Sequence, residues 1–278
     1  MVFAKSDLHI SNIILALFCI LVFPHNSNAA ETKIKIKPEK IDLKKNQLDR
    51  NAIQKIFPGQ VPIEQTEAAL SLPFKNRIQT IMNQGPKGYK NLRTIAFNKR
   101  ASMEARWRSI ISMARIGGPL AMPEIERSLV DSQWFVRSAG LYALARVDRA
   151  KAKIWASQFL DNDQSLLVRV AATKVLKRIK DKSTLGILWQ KLHSKENFHR
   201  GKSLFIRPKI VEALSQIASP AQSFRFIQLL DDKDDEVRTA SVKALESIHR
   251  IKLGKTDEPS TFKASYWKKW YETNKSTL

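Results

Sequence analysis

Five arginines recur through the chain at close to a fixed interval. They are Arg106, Arg137, Arg169, Arg207 and Arg238, and the steps between them are 31, 32, 38 and 31 residues. A repeat of this length is the mark of a helical solenoid, in which each unit is one pair of helices. The neighbours of each arginine repeat with it. The residue before it is Ala105, Val136, Val168, Ile206 or Val237. Three positions after it stand Ser109, Gly140, Ala172, Ile210 and Ser241, and six after stand Ser112, Ala143, Val175, Ala213 and Ala244. Seven after come Met113, Leu144, Leu176, Leu214 and Leu245, and ten after come Ile116, Val147, Ile179, Ile217 and Ile248. These offsets draw one apolar stripe along an α-helix. Large residues on it fill a core, and small ones admit a neighbouring helix. The period of two that a strand requires is absent.

A shorter apolar helix precedes each of these second helices. The spacing predicts first helices over 89–97, 121–130, 151–160, 185–192 and 223–230. Each is too short to be stable alone, so each must bury its apolar side against its partner and the next repeat. Asp131, Asp163 and Asp232 stand six residues before their arginine, where a carboxylate can accept backbone N–H groups at the start of the second helix.

The stretches Asp-Ser-Gln-Trp-Phe-Val-Arg-Ser-Ala-Gly-Leu-Tyr-Ala-Leu (131–144) and Asp-Asp-Glu-Val-Arg-Thr-Ala-Ser-Val-Lys-Ala-Leu (234–245) resemble HEAT repeats. They look most like the short bacterial, PBS-lyase HEAT-like form, and the resemblance extends over residues 88–251. It implies an all-α fold, a right-handed α-α superhelix of about five repeats. It also implies a structural ladder in which Arg106, Arg137, Arg169, Arg207 and Arg238 meet Asp131, Asp163 and Asp232 between adjacent repeats. Arg100 and Gly201 replace the aspartate in the first and fourth repeats, so the ladder lacks a carboxylate at those two positions. Some relatives act on bilin chromophores and many are scaffolds, and a fold does not fix an activity.

The flanks read differently. Lys5 opens the chain, Ile10–Phe23 is apolar apart from Ser11 and Asn12, Pro24 ends the run, and Ser27-Asn28-Ala29 follows. This is the pattern of a signal peptide over 1–29, cleaved after Ala29, and the run is short for a membrane span. The expected product is exported, periplasmic or secreted, with no transmembrane span. Cys19, the only cysteine, lies inside the run behind Phe18, which does not suit lipidation, and the mature chain then has no disulfide. Residues 30–87 read as a basic extension with short helices over 48–56 and 75–83, the latter stopped by Gly85-Pro86. Residues 252–278 read as a linker and a C-terminal helix with Trp267, Trp270 and Tyr271 on one face, either a cap on the last repeat or a membrane-surface element.

The chain carries 48 Lys and Arg against 26 Asp and Glu, a formal charge of +22, which suits an anionic partner. The second helices are expected to line the concave side, with residues one, five and nine after the arginine facing outward. In the first three repeats these are Trp107, Ile111, Arg115; Ser138, Tyr142, Arg146; and Val170, Lys174, Arg178. In the last two they are Pro208, Glu212, Gln216; and Thr239, Lys243, Ser247. Trp107, Arg115, Tyr142, Arg146, Lys174 and Arg178 are candidate binding residues. The fourth repeat is lengthened by Ser194–Leu204, whose Lys195, His199, Arg200 and Lys202 form a second candidate set, since insertions in solenoids gather on binding faces.

No catalytic set, cofactor site or metal site emerges. His193 and His199 have only Glu196 beside them. Gly254-Lys255-Thr256 lacks the first glycine of a phosphate loop, because His249 stands there. Ser265-Tyr266-Trp267-Lys268 lacks the companion motifs of acyl-transfer enzymes. The expectation is a non-enzymatic scaffold that holds an acidic protein partner or an anionic envelope polymer. The alternatives are a lyase-like accessory subunit acting on a small ligand, and a nucleic-acid binder, which export disfavours.

Overall fold

A computed structural model describes residues 61–255 and 257–277. The expected signal segment, the basic lead and the helix expected over 48–56 lie outside the described residues. The chain divides into two compact units, one reaching Ala121 and the other running from Met122 to Leu278.

In the first unit, α1 (Ile63–Leu70), α2 (Phe74–Asn83), α3 (Gly85–Phe97) and α4 (Met103–Gly117) follow one another closely. The polar, Pro-bearing composition around α1 does not announce a helix. It is one because Thr66, Ala69 and Leu70, at helical spacing, turn one covered side inward. Gly85 ends α2 as expected, but its positive φ of 64° makes a sharp reversal, and Pro86 opens α3 at once. Leu92 and Ile95 of α3 and Ile110 and Met113 of α4 are fully buried where the two helices pack.

The second unit is a run of helix pairs. These are α5 (Met122–Leu129) with α6 (Trp134–Val147), α7 (Arg149–Asn162) with α8 (Leu166–Ile179), α9 (Leu185–Leu192) with α10 (Ile206–Leu214), and α11 (Ser223–Gln228) with α12 (Asp235–His249). The second helices stack in order, α6 on α8 on α10 on α12. The predicted stripe faces this interior. Val136, Leu144, Val168, Val175, Leu176, Ile206, Ile210, Leu214, Val237 and Leu245 are all fully covered. The fold is thus an all-α, HEAT-like solenoid. Small stripe residues set the spacing. A Cβ on Gly140 would lie 2.8 Å from Ser128 Cβ and 3.2 Å from the Leu129 backbone nitrogen, so α5 sits directly on α6 at that point.

One part of the face assignment is corrected. Ser138, Val170 and Pro208, one residue after their arginines, do not face outward but are buried. The second helices of this unit are packed in a stack, α6 on α8 on α10 on α12, and the +1 position lies on their covered surface.

The ladder has a definite geometry. Arg137 donates from Nε and Nη2 to the two carboxylate oxygens of Asp163, both at 2.8 Å, and from Nη1 to the Asp131 and Ser132 carbonyls. Arg207 donates to Asp232 at 3.0 and 2.6 Å and from Nε to the Leu192 carbonyl at 2.9 Å. Arg106 donates to the Ala96 carbonyl at 3.0 Å. Each aspartate also caps its own turn, accepting from Gln133 N, Ser165 N or Asp234 N. At Arg169 the next repeat offers Gly201 instead of a carboxylate. Its guanidinium donates to the Asp163, Gln164 and Glu196 carbonyls. Arg238, in the last repeat, turns to the Asp232 carbonyl and to Asp235 of its own helix.

After the last pair, α13 (Ser260–Asn274) packs on α11 and α12. Trp267 is fully buried, and the Trp270 and His249 rings lie 5.3 and 5.9 Å from it. The aromatic face therefore covers the end of the last repeat, and Trp267 is spent on that contact instead of on a membrane surface.

Two expected outcomes follow from this packing. Gly140→Ala should lower unfolding free energy by about 1–3 kcal/mol, seen as a lower urea midpoint at unchanged slope, because the helices must part to admit the methyl. Asp232→Asn should cost about 3–5 kcal/mol at neutral pH by stranding a buried guanidinium. Burial pushes the Asp232 carboxyl up, but bonds from Arg207 and Asp234 N–H outweigh it, and its pKa is lowered on balance. Its contribution is therefore complete above about pH 4, where an unfolded aspartate is ionised, and is lost as pH falls through the lower folded value. Urea midpoints measured from pH 7 downward should fall in that window for the wild type and fall less for Asp232→Asn.

Candidate functional site

The candidate residues separate into two places in the second unit and one in the first. Trp107, half-buried, and Arg115, exposed, lie on α4 of the first unit. In the second unit, Tyr142 and Arg146 lie one turn apart on α6, and Lys174 and Arg178 one turn apart on α8, in matching register on touching helices. Arg146, Lys174 and Arg178 are exposed. No carboxylate bonds them among the described residues. Burial pushes the Tyr142 phenol pKa up and the Arg178 charge pulls it back, which places these two side chains within electrostatic reach. The next helix ends this basic row. Glu212 of α10 accepts from Lys177 and Lys209, each at 2.8 Å.

The second place is the lengthened turn of the fourth repeat, where sequence reasoning saw a loop and the structure has a β-hairpin. Strand β1 (Phe198–His199) pairs antiparallel with β2 (Lys202–Ser203), Phe198 opposite Ser203 and His199 opposite Lys202. Arg200 and Gly201 form the turn, with φ of 50° and 76°, the left-handed conformation that a two-residue hairpin turn requires. Two-residue strands are too short to show a period, and the Arg-Gly pair was the one local signal. The hairpin is anchored firmly. The Arg207 guanidinium lies over the Phe198 ring at 4.5 Å. Lys191, almost fully buried, bridges Asp161 Oδ1 at 2.7 Å and Glu196 Oε1 at 2.9 Å. Burial pushes the Lys191 ammonium pKa down, but the two carboxylates outweigh this and raise it. The buried Asn197 amide donates to the Lys191 carbonyl at 2.7 Å. This scaffold leaves Lys195, His199, Arg200 and Lys202 exposed.

The hairpin faces the turn of the fifth repeat across a hollow of about 780 Å³. His193, Phe205, Lys202, Asp232 and Glu236 are among its walls. Burial, then the Arg207 charge, lowers the His193 pKa, with Asp232 opposing. Both Asp232 oxygens are held by Arg207, and no carboxylate is hydrogen-bonded to His193 among the described residues. The Ser–His contact, Ser223 Oγ to His249 Nε2 at 2.7 Å, ties α11 to α12 with Ser223 fully buried, out of reach of any substrate. Among the described residues, no group of three or more His, Cys, Asp and Glu side chains is placed to hold a metal ion. Nor is any described helix long and apolar enough to cross a membrane.

Comparison with known proteins bears on the fold. No curated protein matches the chain. Among solved structures, one that it resembles is an engineered protein, 18% identical, covering 70% of this chain and 94% of that one, with a TM-score of 0.43. Residues 155–246, from α7 into α12, match the family model described as HEAT repeats, so that segment of the chain is built of HEAT repeats.

Proposed function

We propose that this protein is a non-enzymatic scaffold that uses the basic row on α6 and α8 to hold an acidic protein. The observation that carries the reading is that Arg146, Lys174 and Arg178 stand exposed, in register on adjacent rigid helices, without carboxylate partners among the described residues. Three cations in register on packed helices concentrate positive potential toward an anionic surface. Tyr142 beside them supplies the kind of aromatic contact that anchors interfaces. HEAT repeats commonly serve protein binding, which supports the choice of a protein over an anionic envelope polymer. The apolar run Ile10–Phe23 and the Ser27-Asn28-Ala29 that follows support export, and so a partner in the periplasm or outside the cell.

The test compares immobilised poly-glutamate with duplex DNA on a matched support. The wild-type protein should be retained by poly-glutamate at low salt and released as salt rises, because screening shortens the reach of exposed charges. The triple reversal Arg146→Glu, Lys174→Glu and Arg178→Glu should elute markedly earlier with an unchanged melting temperature. Retention by poly-glutamate that ignores both salt and the reversal would sink the electrostatic reading. Tighter retention by DNA than by poly-glutamate would replace it with nucleic-acid binding.

A further inference from the structure

A second hollow, of about 750 Å³, opens on the other side of His193, between the first helices of the fourth and fifth repeats. Gly186, Trp189 and His193 come from or adjoin α9, and Phe224 and Arg225 come from α11. The two helices meet where the Trp189 and Phe226 rings touch edge-on, 5.0 Å apart. Trp189 itself is only 6% exposed. The exposed Arg225 guanidinium lies 5.3 Å from the Trp189 ring centre and 5.6 Å from that of Phe224. No carboxylate or carbonyl accepts from it among the described residues. The rings fix its position without neutralising it.

From this arrangement we infer that the hollow is a binding site for a carboxylate monoanion carried on an apolar body, as a peptide C-terminus presents. Arg225 supplies the cation, and its planar guanidinium can donate two parallel bonds to a carboxylate. The Phe224 and Trp189 rings supply the surface for the apolar body. The acids on the rim set the charge limit. Asp231 is paired with Lys268 at 2.5 Å and Asp232 with Arg207 at 2.6 Å, so neither competes for Arg225. Their proximity still disfavours a doubly charged phosphate. The site is distinct from the α6–α8 row and does not depend on it.

The test uses protein labelled with ¹⁵N at its six tryptophans, with the Trp189 indole signal assigned through Trp189→Phe. N-acetylphenylalanine should move that signal saturably. N-acetylphenylalanine amide should bind about tenfold more weakly, having lost the charge-assisted bond. Arg225→Gln, at an exposed position, should weaken binding of the acid to the level of the amide. A Cβ on Gly186 meets nothing within 4 Å, so Gly186→Leu should fill the hollow and abolish binding while circular dichroism melting is preserved. The reversal of Arg146, Lys174 and Arg178 should leave this binding unchanged, which separates the site from the scaffold reading. The inference is overturned if the Trp189 signal stays still, if acid and amide bind equally, or if inorganic phosphate binds more tightly than the acid.

Discussion

The bridge from one repeat's arginine to the next repeat's aspartate sets the register on which the second unit depends. A buried guanidinium is costly unless most of its donors are met. The half-buried Arg137 holds both oxygens of Asp163 while closing on the carbonyls of its own turn, and the buried Arg207 holds both oxygens of Asp232. Asp163 in turn accepts the N–H that starts α8. One side-chain pair therefore fixes a turn, a helix start and the offset between two repeats. With that offset set, the stripe residues of α6, α8, α10 and α12 fall opposite one another, and helices too short to persist alone become a continuous core.

The lengthened fourth repeat shows what happens where the bridge cannot form. Gly201 stands at the aspartate position, and a bare turn would leave Arg169 with half its donors unmet. The insertion brings the Glu196 carbonyl to Nη2 at 3.0 Å, although Arg169 Nε still lacks an acceptor. The same residue, through its carboxylate, helps neutralise the buried Lys191. The hairpin is thus tied into the repeat stack from two sides before its tip does anything. A segment held so firmly presents Arg200 and Lys202 from a defined backbone position.

How much of this was legible in the sequence follows from where each signal resides. The stripe was legible because Val136, Gly140, Ala143 and Leu144 repeat with both the helical and the repeat period, and the ladder because its residues sit at fixed offsets. The absence of a carboxylate at Gly201 was legible too, but its consequence was not, since a backbone carbonyl leaves no trace in composition. The outward assignment of Ser138, Val170 and Pro208 failed for a geometric reason. Angular position relative to one arginine describes a helix with one neighbour, and each of these helices is packed against several others. The Trp189–Arg225 hollow was invisible for a related reason. Its cation and the ring beneath it come from first helices and stand 36 residues apart, neither belongs to the stripe, and only the packing of α9 against α11 brings them together.

Several aspartates of the second unit are engaged at turns and helix starts. Asp163 and Asp232 serve the ladder and their turns, and Asp148, Asp181 and Asp234 accept backbone N–H groups where helices begin. Asp181 is held at about 2, chiefly by Lys153 and by the Ser183 N–H, and so stays ionised in this role. Lysines and arginines have no comparable duty at helix starts, where the macrodipole disfavours them. They accumulate on exposed faces such as that of α6 and α8, where few acids remain to pair with them. The binding face that we propose draws on the cations left exposed in this way, and a partner's acids would complete the pairing that the fold leaves open.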